Sequence, residues 1–563
     1  MSLNNLGGVY RLQGRFEEAE PLLLQVIEIR ERQLRKGHPD IAVSLNNLAA
    51  LYHEQGKYSE IEYLYKQSLK IKENQPENNH ISLTISLNNL AELYRSQGKY
   101  GEAETLCLRA LSIRETQLGT DHPNFADSLN HLVNLYKDQG KSGEAEALCL
   151  RALSIRETQL GTDHPDVANS LDNLADIYSS QGKYSEAEVL CLRALSIREK
   201  KQGLNHYGIA ISLDILAKLY RSQGKYGEAE ALCLRALSIR ETQLGTDHPN
   251  FADSLNHLAE IYRSQGKYGE AETLCLRALS ITETQLGTDH PDVANSLANL
   301  ANLYSSQGEY SKAEPFYLRA LSIRKTQLGT DHPIYATYLN NLGYLYFCQA
   351  KYQEVEPLYL RALEISEKQL GYSHSDVGTS CNNIAKLYHF QCKYQEAESF
   401  YLRALDIYKH SLDRYHPLIA NSFNNLGLLY QSLGRFSEAE TFHQRALAIL
   451  MATVGENHPN TQKVLDGLKT LKELTGGQDI SKRCPQRFLG SSVTNRYIPF
   501  SQKANERIRD LGELIRNLYQ QWGVICIELF RSNTPKSLCC KEFSQLVPLS
   551  VKEQRAANNE SPN

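Results

Sequence analysis

Hydrophobic positions along this chain repeat in blocks of 42 residues, and each block contains two stretches with helical spacing. In the block that begins at His164, the first stretch carries Val167, Ala168, Leu171, Leu174, Ala175 and Tyr178. The second carries Ala187, Leu190, Cys191, Ala194, Leu195 and Ile197. The pattern predicts two packed helices per block, which we name helix A and helix B.

One histidine per block fixes the phase of the repeat. These histidines lie 42 residues apart, at His38, His80, His122, His164, His206, His248, His290, His332, His374, His416 and His458. The unit starts at Ser2, recurs eleven times without insertion or deletion, and stops near Thr475 during a twelfth copy. A unit of this size buries its apolar face only by stacking on its neighbours. The sequence therefore predicts an all-α solenoid over residues 1–475.

Turn and capping residues predict where each helix begins and ends. Gly182 ends helix A because the chain must pass through positive φ there. Nine blocks keep this glycine, whereas Ala350 and Cys392 replace it in the ninth and tenth, at an expected cost of about 1 kcal/mol each. For helix B we expect a capping box of Ser185 and Glu188. The same pair recurs at Ser59 and Glu62, Ser311 and Glu314, and Ser437 and Glu440.

The order Leu174, Ala175, Tyr178, Gly182, Tyr184, Ala187, Ala194 resembles the tetratricopeptide repeat. The 42-residue length and the blocks HPDVA, SLNNLA, QGKY, EAE and RALSI are similar to the kinesin light chain version of that repeat. The resemblance covers residues 1 to about 475 and implies a right-handed superhelix with helix A on its concave face. It also implies a groove that holds peptide segments of a partner. No heptad segment accompanies the repeats, so a link to a motor is not expected.

Composition narrows the classes of partner. The formal net charge is −4, and residues 476–563 carry 13 Lys and Arg against 8 Asp and Glu, so the repeats are acidic. A nucleic-acid partner is not predicted, because such proteins present a strongly basic face. No apolar run approaches the length of a membrane span, and MSLNNLGGVY has no features of a secretion signal. We expect a cytoplasmic protein, with a membrane role disfavoured.

Cysteines mark a core position. Five of the twelve share one slot that tyrosines fill in later blocks: Cys107, Cys149, Cys191, Cys233 and Cys275, then Tyr317, Tyr359 and Tyr401. Exchange with a large ring indicates packing, so disulfides are not expected.

Both ends of the repeat region differ from its middle. Met1 falls inside helix A of the first block, which favours a fragment or a misplaced start codon over a frayed end. Residues 459–475 predict a closing helix. Beyond them we expect a linker at 476–500, an amphipathic helix at 501–530 that could dock on the solenoid or self-associate, and a disordered tail at 531–563.

Polar positions on the inner face of helix A are the candidate binding residues. One slot forms a column of amides and imidazoles: Asn47, Asn89, His131, Asn173, His257, Asn299, Asn341 and Asn383. Each amide both donates and accepts, which suits the backbone of an extended peptide. Bonding of the amides between neighbouring helices is an equally weighted alternative.

A second slot and a nearby position carry cations: Arg95, Lys137, Arg221 and Arg263, with Lys218. These cations would favour a protein or peptide ligand with acidic groups. Carboxylates at Glu92, Asp176 and Glu260 lie close in the repeat, so a plain solvated face is the alternative.

Catalytic and metal chemistry is not predicted. Neighbouring repeats place equivalent atoms about 8–10 Å apart, whereas zinc holds ligand nitrogens about 2.0 Å away. The histidine column therefore favours a structural role in the loop that enters helix A. We predict no cofactor and no enzyme activity.

The sequence favours a protein-interaction scaffold that binds an extended peptide. Two alternatives remain: the sensor or regulatory arm of a signalling enzyme whose effector domain lies outside this chain, and an architectural spacer.

Overall fold

The computed structural model describes residues 3–35, 37–74 and 80–475, which form 23 α-helices and no strand. The chain divides into two units, Met1–Cys484 and Pro485–Asn563. The expected linker, amphipathic helix and tail all lie outside the described residues. Within the first unit the predicted all-α solenoid of helix pairs is confirmed.

Helices with odd numbers are A helices and those with even numbers are B helices. Their bounds are α1 Leu3–Leu12, α2 Phe16–Gln33, α3 Pro39–Glu54, α4 Tyr58–Glu73, α5 His80–Ser96, α6 Tyr100–Leu118, α7 Pro123–Asp138, α8 Ser142–Leu160, α9 Pro165–Gln181, α10 Tyr184–Gln202, α11 Tyr207–Ser222, α12 Tyr226–Leu244, α13 Pro249–Ser264, α14 Tyr268–Leu286, α15 Pro291–Ser306, α16 Tyr310–Leu328, α17 Pro333–Cys348, α18 Tyr352–Leu370, α19 Ser375–Phe390, α20 Tyr394–Ser411, α21 Pro417–Ser432, α22 Phe436–Thr453 and α23 Pro459–Leu474.

Each helix packs mainly on the helices before and after it in the chain. The cysteine slot lies in this core: Cys149 and Cys191 are buried, and Tyr317 and Tyr401 take the same place in later repeats. All eight cysteines in the described part of the chain are free thiols. Burial raises the pKa of the Cys149 thiol to about 12. A protonated thiol therefore acts here as a small apolar side chain.

The turns between helices A and B adopt the backbone conformation that the glycines predict. Gly182 has φ of +85° and caps α9. Ala350 and Cys392 have φ of 59° and 60°, so both hold the left-handed conformation despite their Cβ atoms. The positive φ expected at these two turns is confirmed, and the cost of about 1 kcal/mol each stays a prediction.

The predicted capping box at the start of helix B is wrong. α10 begins at Tyr184 and its N-cap is Lys183, which makes no side-chain capping bond. Ser185 therefore lies inside the helix. The Glu188 carboxylate instead accepts a hydrogen bond from the Tyr220 hydroxyl of the next repeat, 2.8 Å away.

Histidine caps helix A, as the structural interpretation of the column predicts. At His164, Nδ1 accepts from the Asp166 backbone N–H, 3.2 Å away. A histidine N-cap with the same bond begins α3, α7 and α9, and every later A helix through α23.

Successive turns of the superhelix touch along the ends of their A helices. Nε2 of His332, just before α17, lies 3.0 Å from the carbonyl oxygen of Ser96, the last residue of α5. Those two residues are 236 positions apart. Histidine rings also lie over the turn glycines of the preceding superhelical turn, with the pairs Gly14 and His248, Gly56 and His290, Gly98 and His332, Gly140 and His374, Gly182 and His416, and Gly224 and His458. We call this line of contacts the seam.

The A helices form the inner side of the curve. Backbones of successive A helices approach one another closely, whereas successive B helices are bridged mainly by long side chains such as Arg193 and Glu157. The seam joins A helices of successive superhelical turns end to end. We name the side of the A helices that faces the inside of the curve the inner wall. No described helix is long and apolar enough to span a membrane.

Candidate functional site

Glutamates on the B helices hold successive repeats in register. Glu314 accepts from the Tyr346 hydroxyl at 3.2 Å, from Gln349 at 3.1 Å and from the Lys351 ammonium at 2.9 Å. These bonds, with that of Lys351 the largest cause, lower the pKa of Glu314. The tyrosine bond recurs with Glu20, Glu62, Glu104, Glu188, Glu272, Glu356 and Glu398. This framework fixes the spacing of the inner wall.

Part of the amide column is used to join neighbouring A helices. Nδ2 of Asn47 donates to Asn4 at 3.1 Å, and Nδ2 of Asn383 donates to Asn340 at 3.4 Å. Asn425, the next member of the slot, donates to Asn382 at 2.9 Å. At these positions the structure supports the alternative in which the amides bond between helices.

The rest of the amide column does not join neighbouring helices. Asn89, Asn173, Asn299 and Asn341 are half-buried, and among the described residues their side chains make no hydrogen bond. They occur on α5, α9, α15 and α17 at the same position of helix A. Their donors and acceptors therefore have no protein partner in the described part of the chain.

Two imidazoles continue the column. Burial lowers the pKa of His131, which therefore stays neutral near pH 7 and, like an amide, has one donor and one acceptor. His257 lies beside a carboxylate, with Nδ1 3.8 Å from an oxygen of Asp214.

Most of the predicted cations already have carboxylate partners. Arg95 pairs with Glu92 and Asp138, and Lys137 pairs with Asp176. Arg221 lies 2.6 Å from Glu260, and Arg263 lies 3.7 Å from the same carboxylate. In the described part of the chain Lys218 has no ion pair, and its side chain is exposed. The charge available to a ligand is therefore smaller than the count of cations implies.

An aromatic patch interrupts the polar wall in the ninth and tenth repeats. Tyr344 is 48% exposed and Phe390 is 55% exposed. The Phe390 ring lies 5.4 Å from Phe347 and 4.7 Å from Tyr352, centroid to centroid. Equivalent positions in the third repeat are Glu92 and Ser96. We name Tyr344, Phe347, Tyr352 and Phe390 the aromatic patch.

A lysine accompanies the aromatic patch. The Lys386 ammonium lies 5.3 Å from the Tyr344 ring centre and 5.6 Å from that of Phe347. Burial, with a contribution from the charge of Lys463, lowers its pKa. The described residues place no carboxylate in an ion pair with Lys386. The patch therefore combines exposed ring surface with a positive charge.

Helix B offers a competing surface. Leucines at one slot of consecutive B helices are each more than 40% exposed: Leu108, Leu150, Leu192, Leu234, Leu276, Leu318, Leu360 and Leu402. Each is followed by an arginine, and several of these arginines pair with glutamates of the preceding repeat. We name this row the leucine column.

A family model for the tetratricopeptide repeat matches residues 1–74, 82–148, 124–200, 181–242, 208–272, 250–326, 312–368, 376–452 and 418–479. The chain belongs to the tetratricopeptide repeat family. No curated protein matches the sequence. This tetratricopeptide repeat protein is a scaffold of the kind that binds other proteins, as its repeats indicate.

Solved structures similar to this tetratricopeptide repeat protein include a putative kinesin light chain from Podosopora anserina with nearly identical TPR-like repeats. A single-substitution variant of that protein is 27% identical, with a TM-score of 0.32, over 36% of this chain and 97% of that chain. BtubC (BKLC) from P. vanneervenii is 23% identical, with a TM-score of 0.33, over 49% of this chain and 98% of that chain.

Sequence reasoning missed the aromatic patch, although a signal for it was present. A comparison of slots across repeats shows rings at Tyr344, Phe347 and Phe390 where most other repeats carry charged or small polar residues. The same two repeats hold Ala350 and Cys392 in left-handed backbone conformations. Strained backbone is often found at functional sites, so the two departures together mark this region of the wall.

Proposed function

We propose that this scaffold binds an extended segment of a partner protein along the inner wall of its A helices. The observation that carries the proposal is the set of amides at Asn89, Asn173, Asn299 and Asn341. They recur in phase with the repeat, are half-buried and are not used to join helices. An extended backbone presents carbonyl and N–H groups that such a column can pair.

The aromatic patch supplies the apolar anchor that the amides lack. Aromatic residues in partly exposed clusters contribute much of the free energy of protein binding. Tyr344 and Phe390 would contact an apolar side chain of the segment. Lys386 and Lys218, which have no carboxylate partner in the described residues, would attract acidic groups nearby. The proposed partner segment is therefore extended, with an apolar anchor and acidic neighbours.

Changing Asn89, Asn173 and Asn299 to alanine together should weaken peptide binding by about 1 kcal/mol per lost hydrogen bond and leave stability nearly unchanged. Linear peptides selected from a random displayed library against the full chain provide the probe. Their affinity for wild type and variant is measured by titration, and stability is measured by thermal unfolding.

The matched control changes Asn47, Asn383 and Asn425 to alanine. These amides bond to neighbouring A helices, so their loss should lower the melting temperature more than it lowers affinity. Equal effects of the two triple variants on affinity and on melting temperature would contradict the division of the column into ligand-binding amides and helix-joining amides. A library that yields no binding peptide would favour the spacer interpretation.

A further inference from the structure

The seam brings together six histidines and six turns that are far apart in sequence. The histidines are His248, His290, His332, His374, His416 and His458. His290 and His374 side chains are 6% and 9% exposed, whereas His38 and His164, which have no superhelical turn beneath them, are 34% and 40% exposed. Contact with the preceding turn therefore removes most of the solvent from His290 and His374, whereas His248, His416 and His458 are half-buried.

Both nitrogens of the His332 ring are committed. Nδ1 of His332 accepts from the Ile334 N–H at 3.1 Å, so it carries no proton. Nε2 lies 3.0 Å from the Ser96 carbonyl, which only accepts, so Nε2 carries the proton and donates. The Nδ1 bond has the same length at each of the other five seam histidines. Only a neutral ring satisfies both contacts.

Backbone groups also lie near other seam rings. Those of Leu12, Asp138 and Ser180 lie beside His248, His374 and His416. At His290 the Glu54 carbonyl is the facing group, and Nε2 is buried without a bond of standard geometry to any described atom. Apolar contacts run beside the rings, since Leu286 packs on the cluster that contains Phe16, and Val454 on the cluster that contains Tyr184.

We propose that the seam histidines are a latch between successive superhelical turns, closed when the rings are neutral and opened when they are protonated. A proton added at Nδ1 would face the backbone N–H that now donates to it. The ring would have to turn away, which would break the helix cap and withdraw Nε2 from the carbonyl of the preceding turn. A cavity of about 380 Å³ beside His332, lined also by Gln97, Lys99 and Asp331, gives water access to the seam.

The charges around the rings shift the pKa of the seam histidines in opposite directions, and burial decides the direction of the net shift. Burial lowers the pKa of every seam histidine, to about 4 at His332 and His416. Nearby carboxylates favour protonation of a ring, and nearby cations oppose it. The carboxylates are Asp292 beside His290, Asp376 and Asp138 beside His374, and Asp413 beside His416. The cations and imidazole that oppose it are Arg240 beside His248, Arg324 and His53 beside His290, Arg324 beside His332, and Lys463 beside His458.

The sign of the pH effect follows from these depressed pKa values. An exposed histidine titrates near pH 6.5, so the open form takes up protons at a higher pH than the closed form. The closed form is fully favoured above about pH 6.5 and loses its advantage as the pH falls toward about 4. If the inner wall holds a peptide, as proposed above, opening would change the spacing of its amides.

Small-angle X-ray scattering of the full chain tests the latch without any ligand, so its outcome is independent of the proposed peptide binding. At about pH 7.5 a triple variant His290→Asn, His332→Asn, His374→Asn should have a larger radius of gyration than wild type. Asparagine still caps a helix but is too short to reach the preceding turn. Wild type should expand toward the same value at about pH 5.

The control variant is His38→Asn, His122→Asn, His164→Asn, which makes the same change at helix caps outside the seam. It should keep wild-type dimensions at neutral pH and expand like wild type in acid. Circular dichroism confirms that helix content is retained in all three proteins. Wild-type dimensions in the seam variant, equal expansion of both variants, or a pH-independent wild type would each overturn the proposal. If the triple variant does not fold, the single variant His332→Asn replaces it, and NMR measures the titration of the remaining seam histidines. Titration of those histidines near pH 6.5 would overturn the latch.

Discussion

Asp172→Ala should lower the free energy of unfolding by about 3–5 kcal/mol. The Asp172 carboxylate pairs with the Arg198 guanidinium, and each side chain is only 4% exposed. The Ser212 hydroxyl also donates to this carboxylate, at 3.0 Å. Removing one partner would leave the arginine charge buried without its carboxylate, and desolvation makes that costly. Urea unfolding and amide hydrogen exchange across α9–α11 measure the loss.

Asp172→Asn is the matched control. The fourth repeat carries Asn130 opposite Arg156, and its amide oxygen, when turned toward the guanidinium, lies 2.8 and 3.0 Å from the two terminal nitrogens. An asparagine at position 172 should accept in the same way, and the expected loss is about 1 kcal/mol. Equal losses for alanine and asparagine would show that the negative charge of the carboxylate, and not its role as a hydrogen-bond acceptor, determines the stability.

Gly56→Ala combined with Gly140→Ala should destabilise the superhelix much more than Gly266→Ala combined with Gly308→Ala. All four glycines have φ between 68° and 78°, so each substitution costs about 1 kcal/mol in backbone energy. Only the first pair lies in the seam. A Cβ on Gly56 would lie 2.7 Å from Cδ2 of His290, and one on Gly140 would be closer still to His374.

Nothing lies within 4 Å of a Cβ placed on Gly266 or Gly308. Overpacking should therefore add about 1–3 kcal/mol per site to the seam pair alone. Thermal unfolding of the two double variants measures the difference. Equal melting temperatures would show that the seam is not closely packed in solution.

The local features of the fold were predictable because they repeat at fixed spacing. Helix A, its terminal glycine and the buried cysteine slot each depend on neighbours within one or two repeats, and the structure confirms them. The replacement of glycine at Ala350 and Cys392 also has a spatial explanation. Nothing lies within 4 Å of a Cβ placed on Gly308 or Gly434, the turn glycines of the repeats before and after these two, so the seam does not extend to this part of the array.

The features that sequence reasoning missed depend on geometry between repeats. The capping box of Ser185 and Glu188 is absent because the N-cap of helix B is Lys183, two residues before Ser185, and Glu188 bonds to the next repeat instead. The seam joins residues 236 positions apart. This sequence separation depends on how far each repeat rotates and rises relative to the one before it. Small packing angles between helices set both quantities, and a local sequence pattern does not reveal them. The ion pairs of Arg95 and Lys137 likewise cross from one A helix to the next.

Hydrogen exchange on the full chain with a library-selected linear peptide tests the proposed function most directly. We predict slower exchange or altered protection on the inner wall, around Asn89, Asn173 and Asn299, and around the aromatic patch at Tyr344 and Phe390. The B helices that carry the leucine column should be unchanged. Protection confined to the leucine column, or a bound peptide that alters no A helix, would contradict the assignment of the inner wall as the binding surface.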